Sequence, residues 1–114
     1  MVESIDYNKL TEKLGGRKVA RQVCRIFLEE LPGLMDEYRE SLPSLQAVAR
    51  SAHRLKGSLG MLEGSLMRLA GRLERACLQG ERELALTLHH RLDQGLQELR
   101  KDLETFVRET PRGR

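Results

Sequence analysis

The stretch LQAVARSAHRLKGSLGML, residues 45–62, establishes the helical character of this chain. Its apolar residues recur in steps of three and four, the spacing of one face of an α-helix. They are Leu45, Val48, Ala52, Leu55, Leu59 and Leu62. The pattern predicts an amphipathic helix that starts near Pro43, a favourable first-turn residue, with Ser41 or Leu42 as the N-cap. Residues 63–65 are predicted to form a tight connection to the next helix.

Four further helices are predicted on both sides of this stretch. Asp6 is a suitable N-cap for a short first helix, which Gly15 and Gly16 end. A second helix is predicted over 17–41, and its apolar stripe stays in phase past Pro32, which favours one bent helix over two. Its predicted inward residues are Val19, Val23, Ile26, Leu31, Leu34 and Tyr38, with Phe27 on the flank. The fourth and fifth helices are predicted over 66–78 and 81–108.

The inward residues of the last two helices follow the same spacing. In the fourth they are Leu66, Leu69, Leu73, Ala76 and Cys77. In the fifth they are Ala85, Leu88, Leu92, Leu96, Leu99, Leu103 and Phe106. Short connections make sequential helices antiparallel neighbours. The sequence therefore predicts an up-down antiparallel four-helix bundle with a short N-terminal cap helix.

Length and composition agree with this architecture. A chain of 114 residues suffices for one domain, and Leu dominates its apolar residues, with Glu, Arg, Gln and Ala around it and with no Trp, two Tyr and two Phe. We therefore expect an all-α protein, with residues 1–110 as one bundle and 111–114 as a disordered basic tail. A monomer is expected, because the bundle already buries its apolar stripes.

Charge and residue usage argue against several classes of function. The net charge is only +3, the two signs are interspersed, and aromatic stackers are few, so nucleic-acid binding is not expected. No apolar run could span a bilayer, and the N-terminus has no signal-peptide pattern. We expect a cytoplasmic domain, either standalone or the cytosolic module of a membrane sensor kinase. Cys24 and Cys77, at apolar-periodic positions, are predicted to be buried free thiols.

The sequence contains no motif that supports ATP-dependent kinase activity or metal binding. No phosphate-binding loop for ATP is present, so ATP-dependent kinase activity is not expected. His89 and His90 are adjacent and point about 100° apart on a helix, so they cannot easily bind one metal ion. We expect no metal site, and we interpret both as part of an exposed helix face.

A second stripe of the 45–62 helix has an unusual composition. It consists of Ala49, His53, Lys56, Gly57 and Gly60, which share a face at helical spacing. A face built only for solubility would carry better helix formers. The small residues would let another protein come close to the imidazole of His53, which is a nucleophile near neutral pH. The ammonium of Lys56 could stabilise an anionic group held on that histidine. The alternative is an ordinary surface histidine beside glycines that permit close helix packing.

The stretch HRLKGSLGMLEGSLMRLAGRLE, residues 53–74, resembles the signature of histidine-containing phosphotransfer (HPt) domains. That pattern is H-x-L-K-G-S/A, small residues, and then L-x-x-L-x-x-x-L-E. The stretch FLEELPGLM at 27–35 and the Leu14-Gly15-Gly16 turn also resemble family positions. One departure is Leu62-Glu63-Gly64 where the family commonly has Leu-Gly-Ala, with Leu66 one residue early. This departure predicts a shortened turn and leaves His53 and Lys56 unaffected.

The resemblance implies a function for the histidine face. His53 would accept a phosphoryl group from a receiver-domain aspartyl phosphate and pass it to another receiver, reversibly, in bacterial two-component signalling. Lys56 would stabilise the phosphoryl charge, and Gly57 and Gly60 would keep the approach open. The receiver would supply Mg²⁺, and this chain would bind no cofactor. Family expectation is phosphorylation at Nε2, with Nδ1 held by another group.

The resemblance also implies a partly apolar docking surface around His53. The candidate docking residues are Ile5, Leu10, Phe27, Ala49, Arg54 and Met61, with Arg54 at the rim. Partners would be response-regulator receiver domains, with a hybrid sensor kinase as a further candidate. The alternative function is a non-catalytic helical adaptor that binds a receiver or kinase without phosphotransfer.

Overall fold

A computed structural model describes residues 6–42, 44–60, 62 and 64–109, and every regular element within them is an α-helix. This confirms the predicted all-α class. The helices are α1 (Tyr7–Lys13), α2 (Arg17–Glu40), α3 (Leu45–Leu59), α4 (Gly64–Leu78) and α5 (Arg82–Glu109). Predictions for Ile5, Pro43, Met61, Glu63 and the tail 111–114 lie outside the described residues.

The first helix begins and ends where its local signals predict. The Asp6 carboxylate accepts a hydrogen bond from the Lys9 backbone N–H at 3.1 Å, so Asp6 is the N-cap. Gly15 and Gly16 follow the helix with φ of 85° and 135°, values that favour glycine. At the start of α1, the ring of Tyr7 stacks on that of Phe106 with 4.2 Å between the ring centroids, and the Tyr7 hydroxyl donates to Asp102 at 2.8 Å. These contacts attach α1 to the C-terminal part of α5.

The second helix is continuous through Pro32, as predicted, and Leu31 and Tyr38 are buried as predicted, but the first half of its buried face differs from the prediction. Val19 and Ile26 are exposed, and Val23 and Leu34 are only partly buried. The buried residues are Ala20, Cys24, Phe27, Leu31, Met35 and Tyr38. In the first half of the helix the core stripe therefore lies one residue later than predicted. The prediction followed the larger branched side chains, whereas the short Ala20 and Cys24 are buried at 0% exposure.

The ends of the third helix differ from prediction by a few residues. Ser44 is the N-cap of α3, and its hydroxyl accepts a hydrogen bond from the Ala47 N–H at 3.2 Å. The predicted cap at Ser41 or Leu42 is therefore wrong. Helix α4 begins at Gly64 rather than Leu66, so the connection spans 60–63 instead of 63–65. Within it, the N–H of buried Leu62 donates to the Leu59 carbonyl at 2.9 Å.

The helices pack around one apolar core to which all five contribute. Helix α2 contacts α3 and α5, α4 contacts the same two helices, and α1 contacts α2. The predicted inward residues of α3, α4 and α5 lie in this core or pack against it. Cys24 and Cys77 are buried free thiols, as predicted, and burial raises the pKa of the Cys24 thiol to about 11. None of the described helices is both long and apolar enough to cross a membrane.

The prediction that His89 lies on an exposed face is wrong. His89 is buried against α2, with its ring stacked on Tyr38 at 3.8 Å and an interplanar angle of 6°. Its Nε2 lies 3.2 Å from the Tyr38 carbonyl oxygen, and the Tyr38 hydroxyl donates to the His89 carbonyl. Desolvation lowers the pKa of His89 below its usual value, although the Tyr38 carbonyl opposes the shift. The neutral imidazole is thus part of the α2–α5 contact, and of the two adjacent histidines His90 is the exposed one.

Candidate functional site

The buried face of α3 determines the direction of His53. Val48, Ala52, Leu55 and Leu59 are all in the core, so the rotation of the helix about its axis is fixed. One residue beyond Ala52, the imidazole of His53 lies outside the core, with 66% of the side chain exposed. The predicted accessible histidine is therefore at the surface of the helix pair α3–α4.

A carboxylate from the neighbouring helix holds this imidazole. His53 Nδ1 lies 2.9 Å from Glu74 Oε2, although the two residues are 21 positions apart in the chain. The other oxygen, Oε1, accepts a hydrogen bond from the Lys56 ammonium at 3.0 Å. Glu74 is only 19% exposed, so it forms the floor between two more exposed partners. One carboxylate thereby connects both residues that the sequence proposed for the chemistry.

The environment keeps Glu74 ionised. Burial by itself would raise the pKa of this carboxyl, but the hydrogen bond and charge of Lys56, followed by those of His53, lower it overall. An ionised carboxylate is an acceptor only, so the proton of the His53–Glu74 contact lies on Nδ1. The neutral imidazole then carries its lone pair on Nε2. Among the residues that the structure describes, Nε2 has no hydrogen-bond partner.

The Lys56 ammonium is paired with Glu74, but this contact does not occupy all of its hydrogen-bond donors. It has three N–H donors, and Glu74 accepts one of them. The side chain is 40% exposed, so the remaining donors are accessible to solvent. Lys56 can therefore donate to an anion from solvent while it keeps its contact with Glu74.

The two glycines of the histidine face have different surroundings. A Cβ atom added at Gly57 would meet nothing within 4 Å, so the space beside His53 one turn further along α3 is open. A Cβ atom added at Gly60 would lie 3.4 Å from the Met67 sulfur and 3.6 Å from the Lys56 carbonyl oxygen. Gly57 therefore borders open space, whereas Gly60 lies next to the Met67 side chain of α4.

The structure separates the candidate docking residues into groups. Leu10, Phe27 and Ala49 are buried, so each offers only a small part of its surface to a partner. Arg54 is exposed next to His53 and pairs with Glu37 of α2. Ile5 and Met61 lie outside the described residues. The docking role of all six stays a prediction.

Glu74 is the site residue that the sequence prediction missed. The Leu73-Glu74 pair closes the signature pattern, and this was the available signal. Its role could not be assigned, because the distance between Glu74 and His53 depends on how α3 and α4 pack. Within the described residues, no group of three His, Cys, Asp or Glu side chains could hold a metal ion.

These features define a helical domain that presents one exposed, carboxylate-oriented histidine at its surface. The family model of the Hpt domain matches residues 22–102, which include His53, Lys56 and Glu74 and cover more than half of the chain. The chain therefore belongs to the Hpt domain family. Hpt domains carry out histidine phosphotransfer in phosphorelays and interact with receiver domains of two-component systems. Searches of curated proteins and of solved structures gave no significant match.

Proposed function

We propose that this Hpt domain is a phosphorelay intermediate that carries the phosphoryl group on His53. It accepts the group from an aspartyl phosphate of one receiver domain and passes it to the aspartate of another, and the transfer is reversible. The observation that carries the proposal is the exposed imidazole whose Nδ1 is held by Glu74 at 2.9 Å. This contact leaves Nε2 as the nucleophile.

The phosphoryl transfer needs no reactant other than His53 and the aspartyl phosphate of the receiver. The Nε2 lone pair attacks phosphorus in line with the acyl-phosphate bond, a P–N bond forms, and the P–O bond to the receiver aspartate breaks. The electron pair of that bond leaves with the aspartate carboxylate. The imidazole ring gains positive charge while its proton stays on Nδ1, where the ionised Glu74 stabilises it electrostatically. The reverse transfer regenerates the neutral ring.

Lys56 supports the same step from the side of the phosphoryl oxygens. Its ammonium is a compact positive charge held beside the imidazole through Glu74. The open space at Gly57 lets a receiver bring its acidic pocket close to Nε2, and Gly60 extends the small-residue surface. The Mg²⁺ that this chemistry uses is supplied by the receiver.

The helix arrangement that we infer is compatible with a receiver that docks on one side of the bundle. We infer that α2, α3, α4 and α5 form an up-down antiparallel bundle, with α1 as a cap helix on α2 and the end of α5. The contacts of α2 and α4 with both α3 and α5 support this arrangement. The domain acts as a monomer in the cytoplasm, on its own or as a module of a sensor kinase. The receiver docks on the side of α3 that carries His53.

A labelling experiment tests the proposal. The chain is incubated with a panel of receiver domains phosphorylated with ³²P, and label that is acid-labile and base-stable is expected on the wild type. His53→Gln should carry no label and should keep its helical circular-dichroism spectrum and melting temperature. His90→Gln is the matched control, because His90 is an exposed histidine elsewhere, and it should be labelled normally.

Two results would contradict the proposal. Label at any residue other than His53 would overturn the site assignment. Stable binding of a phosphorylated receiver, without label on the chain, would instead favour the non-catalytic adaptor.

A further inference from the structure

Gly71 occupies an unusual place in the middle of α4. It is buried, is the eighth residue of a 15-residue helix and takes part in no turn. Glycine is the weakest helix former apart from proline, so local structure gives no reason for it at this point. What surrounds Gly71 in space gives a reason for a small residue there.

The side chain of Lys56 lies over this glycine. A Cβ atom added at Gly71 would be 3.5 Å from Lys56 Cδ and 3.8 Å from a terminal guanidinium nitrogen of Arg75. Lys56 starts on α3, and its ammonium reaches Glu74, which follows Gly71 by three residues on the same side of α4. The aliphatic stem of the lysine therefore passes over the bare backbone at Gly71 before the ammonium meets Glu74.

We propose that Gly71 is a positioning residue, which acts by leaving room for the Lys56 stem on its way to Glu74. The expected effect on phosphotransfer rests on the proposed function. The positioning of Lys56 does not, because the Lys56–Glu74 contact is present without a partner. A single methyl group at position 71 would make ordinary van der Waals contact with Lys56 Cδ. A longer side chain would need the space that the stem occupies and would displace the ammonium from the carboxylate.

The displacement has a measurable consequence at Glu74. The hydrogen bond and charge of Lys56 are the largest of the effects that lower the pKa of this carboxyl. Loss of the lysine contact must therefore raise the Glu74 pKa. A role of Gly71 in helix packing alone would change stability and leave the Glu74 pKa in the folded protein unchanged.

The test is an NMR titration of the Glu74 carboxyl carbon in a set of variants. Gly71→Leu should raise the Glu74 pKa to the value found in Lys56→Met, which keeps a stem of similar length but has no charge. Gly71→Ala is the matched control and should retain the wild-type pKa. In the Lys56→Met background, Gly71→Leu should cause no further rise, because the two substitutions act through one contact. Gly71→Met is the second variant if Gly71→Leu does not fold, and it should behave in the same way.

An unchanged Glu74 pKa in folded Gly71→Leu or Gly71→Met would overturn the inference, as would a further rise on top of Lys56→Met. The rate of phosphoryl uptake from a receiver gives a second measurement. Gly71→Leu should slow uptake by the same factor as Lys56→Met, and Gly71→Ala should not slow it. If no variant and no wild-type protein takes up phosphate, the proposed function fails, while the titration still decides the role of Gly71.

Discussion

His53 of α3 and Glu74 of α4 form a hydrogen-bonded pair at 2.9 Å across the interface of the two helices. The pair places the proton on the nitrogen that faces the domain and the lone pair on the nitrogen that faces outward. The same carboxylate binds Lys56 at 3.0 Å, so the nucleophile and the cation share one anchor.

Glu74→Gln should slow phosphoryl uptake by roughly tenfold or more. Glutamine can still accept a hydrogen bond from Nδ1–H, but it has no charge to stabilise the imidazolium that forms during transfer. Charge-assisted hydrogen bonds are about twice as strong as neutral ones, and about 1.4 kcal/mol corresponds to tenfold in rate. The measurement is the initial rate of label transfer from a phosphorylated receiver. Glu83→Gln, an exposed carboxylate on α5, is the control, and an equal rate for both variants would contradict the role of Glu74.

Gly57→Glu should impair transfer without loss of stability. Nothing lies within 4 Å of a Cβ at this position, so the larger side chain fits the isolated domain, and removal of a helix-interior glycine favours folding by up to about 1 kcal/mol. In the complex, the side chain would fill the approach to His53 and repel the acidic pocket of the receiver. Gly57→Ala should transfer normally. Wild-type rates and receiver affinity in Gly57→Glu would refute the access argument.

The free energy of unfolding should decrease as the pH falls below about 6.5, in part because of His89. Burial lowers the pKa of this imidazole in the folded state below the unfolded value of 6.5, so the unfolded chain takes up the proton first. The contribution is fully present above pH 6.5 and is lost as the pH falls through the lowered folded pKa. Urea unfolding between pH 5 and pH 7.5 measures it. His89→Gln should show a weaker pH dependence than the wild type and than His90→Gln; identical slopes would contradict the prediction.

Two adjacent residues of α2 should differ sharply in their effect on stability. Phe27 is 6% exposed and Ile26 is 55% exposed. Phe27→Ala should lower the free energy of unfolding by about 3–5 kcal/mol, since it leaves a cavity in the core, whereas Ile26→Ala should change it by less than about 1 kcal/mol. Chemical denaturation of both variants provides the comparison. Equal losses, or the reverse order, would show that the core stripe of α2 is the one predicted from its branched residues.

The difference between prediction and structure in α2 has a specific physical origin. Two stripes, one through Val19 and Ile26 and one through Ala20 and Phe27, recur at helical spacing. Periodicity cannot choose between them, because each contains apolar residues over several turns. Packing against the neighbouring helices buries the stripe through Ala20, Cys24 and Phe27, although two of these three side chains are short. His89 is a second case in which packing and not the local pattern decides burial, because it is buried by its contact with Tyr38 of α2.

The sequence by itself determined the number and order of the helices, and it indicated His53 and Lys56 as the candidate site. Helix ends depend on short-range signals, such as the Asp6 carboxylate and the glycines at 15 and 16, and His53 with Lys56 lies in one short pattern. Tertiary structure alone decided which carboxylate orients the imidazole and which glycine leaves room for the lysine. Glu74 and Gly71 are on a different helix from His53, and a distance between helices is set by packing of the whole core rather than by local sequence.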